Sequence, residues 1–148
     1  MPPNSQIPDT DNLARHCTKS RDFVDPDVMT ELTPGTFAPT EDDPDVSVNW
    51  IEYYEGTFDD RIDAVCKDMS SERDVRASHK LALLQVAELR EIGEGCDVGL
   101  SAYHDPYPKN DSHAVIRGIP LEAMILHQEL ADAASQHLVS VVPYKKQT

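Results

Sequence analysis

His79-Lys80-Leu81-Ala82-Leu83-Leu84-Gln85-Val86-Ala87-Glu88-Leu89-Arg90-Glu91-Ile92 is the stretch on which the fold turns. Its residues are good helix formers, yet the apolar run is short enough for a buried strand. Its surroundings favour the strand. Cys96 to His104 and Ser112 to Ile119 look like two arms of a hairpin, joined by the turn-rich Asp105-Pro106-Tyr107-Pro108-Lys109-Asn110-Asp111. A strand at 79–92 gives that hairpin a partner; a helix there is the alternative.

Upstream, Val46, Val48 and Trp50 alternate with Ser47 and Asn49, which predicts a strand from Val46 to Tyr54. Phe58, Ile62, Val65, Cys66 and Met69 then recur at helical spacing behind possible caps at Thr57 and Asp59, which predicts a helix over 59–69. Downstream, Ile119-Pro120 opens a helix to about Gln136, with Leu121, Met124, Ile125 and Leu130 on an incomplete apolar face. Val139 to Val142 is a last strand, stopped by Pro143. The expected fold is α+β, a mainly antiparallel sheet of about five strands with two helices on one face.

Residues 1–45 read differently, because they hold seven of the eleven prolines and ten acidic side chains against three basic ones. Proline removes a donor and biases its predecessor to extended geometry, so an irregular arm is expected, with residues 1–12 flexible. Phe23, Val24, Val28, Met29, Leu32 and Phe37 can lay the arm along a single domain spanning 46–148.

The whole chain of 148 residues carries 27 Asp and Glu against 13 Lys and Arg, a formal charge of −14. Such a field repels phosphate backbones and anionic lipid, so neither direct nucleic-acid binding nor membrane binding is expected. No apolar run is long enough to span a bilayer, and the first thirty residues lack the order of a signal peptide, which points to the cytoplasm. Cys17, Cys66 and Cys96 are odd in number and form no Cys-x-x-Cys pair, so they read as free thiols. There is no Gly-x-Gly-x-x-Gly, phosphate loop, Gly-x-Ser-x-Gly or His-Glu-x-x-His, and no cofactor is expected.

Chemistry has two candidate sites. His104 and His113 stand at the two ends of the hairpin loop beside Asp105 and Asp111, and such a set can hold a transition metal or move protons. His16 and Cys17 lie among Arg15, Lys19 and Arg21, where positive charge lowers a thiol pKa. For contact with a partner, Tyr53, Tyr103 and Tyr107 offer aromatic surface and Glu41, Asp42 and Asp43 offer charge, whereas Trp50 shares a strand face with Val46 and Val48 and reads as core.

Ala14-Arg15-His16-Cys17, Ser20-Arg21-Asp22, Val46-Ser47-Val48-Asn49-Trp50-Ile51-Glu52-Tyr53 and Ser112-His113-Ala114 together resemble a group of small uncharacterised bacterial proteins. The resemblance implies a bacterial origin and a shared fold, but no reaction. From the charge of −14 and the acidic, proline-rich arm, the expected function is an acidic protein-interaction module, such as an accessory, inhibitory, antitoxin-like or defence-complex subunit, binding a larger protein with a partly basic surface. The alternative is a small hydrolase or transferase with a His/Asp site, metal-dependent or not, at the 104–113 hairpin.

Overall fold

A computed structural model describes residues 4–141 of the chain. In chain order its elements are β1 (Asn12–Cys17), α1 (Lys19–Asp22), β2 (Val46–Trp50), α2 (Phe58–Met69), β3 (Lys80–Gln85), α3 (Val86–Gly95), β4 (Ser101–His104), β5 (His113–Arg117), α4 (Met124–Ala134) and β6 (Leu138–Ser140). The six strands form one sheet in the order β4-β5-β2-β1-β3-β6, with every neighbouring pair antiparallel. The α+β class holds, while the counts differ from expectation: six described strands replace five, and three helices reach ten residues, besides the single turn of α1.

The stretch at 79–92 is both of the things it resembled. Residues up to Gln85 form β3, whose Leu81, Ala82 and Leu84 are buried because a strand covered on both faces needs apolar residues without alternation. From Val86 the same chain turns directly into α3, where Val86, Leu89 and Gly93 recur at helical spacing. Its N-cap residue, Gln85, makes no side-chain capping hydrogen bond. Instead the amides of Val86 and Ala87 donate to the carbonyl oxygens of Asp11 and Asp9, which satisfies two of the first-turn donors from a distant part of the chain.

The second correction concerns the arm. Asn12–Cys17 lies in the middle of the sheet, paired over Asn12 to Cys17 with β3 and over Leu13 and Ala14 with β2. Arg15 and His16 hide this strand from a hydropathy reading, although Leu13, Ala14 and Cys17 are fully buried. Residues 4–7 also pack against the sheet, with Gln6 bridged to Tyr103 and Ile7 in the core, so they cover the outer edge of β4. Beyond α1 the path is irregular, as its prolines dictate. Phe23, Leu32 and Phe37 are buried anchors, Met29 packs partly against them, and Val24 and Val28 face outward.

Third, the helices take both faces. The larger core joins α3 and α4 to Leu13, Val48, Leu84 and Ile116 on one face of the sheet. A smaller one joins Ile62, Val65, Cys66 and Met69 of α2 to Ala14 and Leu81 on the other. α2 begins with a capping box in which Thr57 and Asp60 each take the other's backbone amide. Two smaller shifts follow local chemistry. β2 ends at Trp50, where a 3-10 turn over Ile51–Tyr53 begins, and α4 begins at Met124 rather than at Pro120. The last strand is Leu138–Ser140; Val142 and Pro143, expected at its end, lie outside the described residues.

Gly93 and Gly118 allow the close approach of the segment that joins α3 to the hairpin. A Cβ on Gly93 would stand 2.7 Å from Leu100 Cγ and from the Val98 carbonyl oxygen. Gly118 has φ +102, and a Cβ there would collide with the Gly99 backbone.

Candidate functional site

β1 and β2 pair only at Leu13 with Trp50 and Ala14 with Asn49, and beyond that point the strands separate. The Ser47 carbonyl oxygen is left without a partner strand on that side. The Arg15 guanidinium fills the split, its Nη1 donating to Ser47 O at 2.7 Å and its Nε to Thr36 O at 3.0 Å. Below this fork opens a cleft of about 470 Å³, bordered by β1, residues 38–47 and the loop after α2. Its wall includes Arg15, His16, Arg21, Asp43, Glu72 and Arg73.

His16 is buried beside His79, with its Nε2 2.8 Å from His79 Nδ1. The Arg76 amide also donates to that Nδ1, so His79 accepts there and His16 carries the proton on Nε2. Burial, then His79, Arg73 and Arg21, pushes the His16 pKa down to about 4, and burial lowers His79 as well. The pair is therefore neutral at physiological pH. Cys17 faces the other way, because successive residues on a strand point to opposite sides. It is fully buried, its Sγ donates to Arg15 O at 3.4 Å, and burial with the nearby Asp22 raises its pKa to about 12. His16 and Cys17 do not meet, and the surrounding arginines do not produce a thiolate.

The hairpin forms, with His104 opposite Ala114, but its arms are shorter than expected: the first starts at Ser101, since Cys96 is still the C-cap of α3, and the second runs from His113 to Arg117. That register puts His104 and His113 on opposite faces of the sheet. His104 is buried against Trp50 and Tyr53, with ring centroids 5.3 Å and 5.0 Å away, and its Nε2 donates to the Asp111 carbonyl oxygen at 2.7 Å. His113 stacks under Tyr107 at 3.8 Å, and its Nδ1 donates to the Asp105 carbonyl oxygen at 2.7 Å. The remaining nitrogens, His104 Nδ1 and His113 Nε2, are buried without a partner, which suits lone pairs and not N–H groups. Burial lowers the His113 pKa accordingly. Asp105 meets His113 through its backbone, its carboxylate standing 3.9 Å away, and Asp111 is exposed. Among the described residues no three His, Cys, Asp or Glu side chains converge as a metal-ligand set.

Beside His113 lies a polar network that no sequence motif announces. Asp68, nearly buried on α2, accepts from Tyr54 OH at 2.7 Å, from Ser112 Oγ at 2.6 Å and from the Ser112 amide at 3.1 Å. Asn49 donates to Ser112 Oγ and Asn110 Oδ1, and Asn110 donates to Glu72. Burial and then the hydrogen bond to Asp68 raise the Tyr54 pKa. The network ties the end of α2 to the hairpin loop and ends at Glu72, on the wall of the cleft.

The expected contact residues are scattered. Tyr53 and Tyr107 are about a third exposed, and Tyr103 is half-buried under the Arg117 guanidinium, 4.8 Å above its ring. Glu41, Asp42 and Asp43 are exposed on one turn, and of these Asp43 reaches the cleft. Trp50 is core, as expected, and its Nε1 donates to Asp11.

A different surface combines apolar and acidic character. Leu121, Met124 and Ile125 at the entry to α4 are 43%, 66% and 74% exposed. They adjoin a groove whose wall carries Glu122, Glu129 and Cys96 and, among the described residues, no basic side chain. Hydropathy alone assigns these side chains to a core face. In the structure the helix starts four residues later than expected and buries Leu126, His127 and Leu130 instead, while His127 Nε2 donates back to Pro120 O at 2.9 Å.

No family model, no curated protein and no solved structure matches the chain. No helix among the described residues is long and apolar enough to cross a membrane.

Proposed function

We propose that the chain is an acidic protein-interaction module, an accessory or inhibitory subunit that docks on a larger protein with a partly basic surface. The observation that carries the reading is the exposed apolar entry to α4, beside a groove lined by glutamates and, among the described residues, by no basic side chain. Apolar area supplies affinity on such a face, and the carboxylates select a partner with a cationic rim and speed the encounter. The net charge of −14 acts in the same direction at long range. The histidines favour this reading over a hydrolase at the hairpin, since His104 and His113 lie on opposite faces and each is bonded to a loop carbonyl.

Affinity capture from the native host with the wild-type chain and with Ile125→Asp tests the proposal. The expected result is a stoichiometric basic protein that is lost with Ile125→Asp and weakened by salt. Capture that ignores both changes overturns it. Concentration-dependent dimerisation of the purified chain through the same face overturns it too, because a second copy then occupies the surface.

A further inference from the structure

We propose that the cleft between β1 and β2 is a binding site for a small ligand that carries an oxyanion, gripped between Arg15 and Arg73. The inference is independent of docking at α4. It starts from an imbalance in pairing inside an acidic protein. Four carboxylates border the cleft, and three are held from outside it: Asp45 by Arg117, Asp74 by Arg76, and Glu72 by Asn110. Arg21 is held by Asp22, itself buried and bonded to Thr18 and Thr36. Among the described residues neither Arg15 nor Arg73 has an ion pair.

Arg15 and Arg73 line the same cleft without ion pairs among the described residues, and their like charges oppose one another. Burial chiefly lowers the Arg15 pKa, Arg21 and to a smaller degree Arg73 lower it too, and Cys17 and Asp22 offset part of the shift. Of the five N–H donors of Arg15, only Nε and Nη1 are used, both on neutral carbonyls, and Arg73 makes no side-chain hydrogen bond among the described residues. His16 adds no positive charge, since it is neutral with its proton committed to His79. The site therefore offers one fork held in place, at Arg15, and one with all its donors open, at Arg73, of the kind that binds phosphate or carboxylate in bidentate fashion. A bound oxyanion relieves the repulsion between the two arginines and takes the donors left over.

The rest of the cleft limits what is attached to the anion. Its volume of about 470 Å³ holds more than a bare ion. The outer wall at Thr40 and Asp43 accepts hydrogen bonds, which suits hydroxyl or ammonium groups and disfavours a second negative charge. A small phosphoester or carboxylate with a donor-bearing tail fits both ends.

Titration calorimetry on the full chain with inorganic phosphate, O-phosphoethanolamine and β-alanine tests this. One-to-one binding of a phosphate-bearing probe, or of β-alanine alone, supports the site and identifies which oxyanion it prefers. Arg73→Gln is the decisive variant, because Arg73 holds no other element in place, whereas Arg15→Gln also frees Thr36 O and Ser47 O. Arg73→Gln is expected to weaken the binding probe at least about tenfold, with Arg73→Lys in between. A probe at about a hundredfold excess over its Kd is expected to raise the wild-type Tm by roughly 5 °C or more and to leave the Tm of Arg73→Gln nearly unchanged. Failure of all three probes to bind at millimolar concentration, or equal binding by Arg73→Gln, overturns the proposal.

Discussion

The two faces of the sheet solve the same problem with different chemistry. Against α3 and α4 the contacts are apolar almost throughout, from Leu13 and Val48 to Leu130 and Ala134. Against α2 the apolar cluster is small, and the area beside it is filled by Asp68, Tyr54, Asn49, Ser112 and Asn110, with neutral His16 and His113 at its margins. Apolar packing is strong but tolerant of partners. A buried polar network adds little net stability when complete and is costly when broken, so it fixes one arrangement of α2, the hairpin loop and the cleft wall. The second face is where geometry is held, and the cleft opens at its edge.

Truncation on the apolar face is expected to have the largest effect. Leu130→Ala leaves a cavity under fully buried neighbours and should cost about 3–4 kcal/mol in urea unfolding, with the fold retained. A cost under about 1 kcal/mol would mean that α4 is not docked as described. Next, Asp68→Ala strands the Tyr54 hydroxyl and two Ser112 donors, and should cost about 2–3 kcal/mol. A double-mutant cycle of Asp68→Ala with Tyr54→Phe sharpens the contrast: the coupling energy should be about 1 kcal/mol or more, whereas Leu130→Ala and Tyr54→Phe should be additive.

The histidines distinguish the faces by pH. His16, His79 and His113 have folded pKa values below the unfolded value of 6.5, so the unfolded chain binds protons that the folded chain refuses. Their stabilising contribution is complete above pH 6.5 and is lost as the pH falls towards 4, the folded value of His16. The urea midpoint should fall over that window, and His16→Gln should flatten the fall, while Leu130→Ala should lower the curve without changing its shape. The smallest effect belongs to the outer surface of α4. Ile125→Ser should change stability by no more than about 0.5 kcal/mol while weakening any complex formed there.

Much of the candidate chemistry was visible in the chain as residue types and little of it as geometry. His16 and Asp43 are on the cleft, yet nothing local shows that Arg73, 57 positions after His16, lines it too. His104 and His113 flank a loop as their spacing indicates, and the register alone separates them by a sheet's thickness. Asp68 reads as one more helix-surface carboxylate until Ser112 and Tyr54 are brought to it. The strings Ala14 to Cys17, Ser47 to Tyr53 and Ser112 to Ala114 start on, or lie along, three strands that are neighbours in the sheet, a relation invisible along the chain.

Where a signal is local, the amino acids decided the outcome unaided: the strand at Val46, the capped helix from Phe58, the hairpin across 105–111 and the acidity of the whole. Tertiary structure alone divided 79–92 into β3 and α3, drew β1 into the centre of the sheet and split it from β2 over a guanidinium. The reason lies in the backbone. An apolar run satisfies either period, and the choice between them fell to carbonyl groups of Asp9 and Asp11 and to strands on either side, partners that only the folded chain supplies.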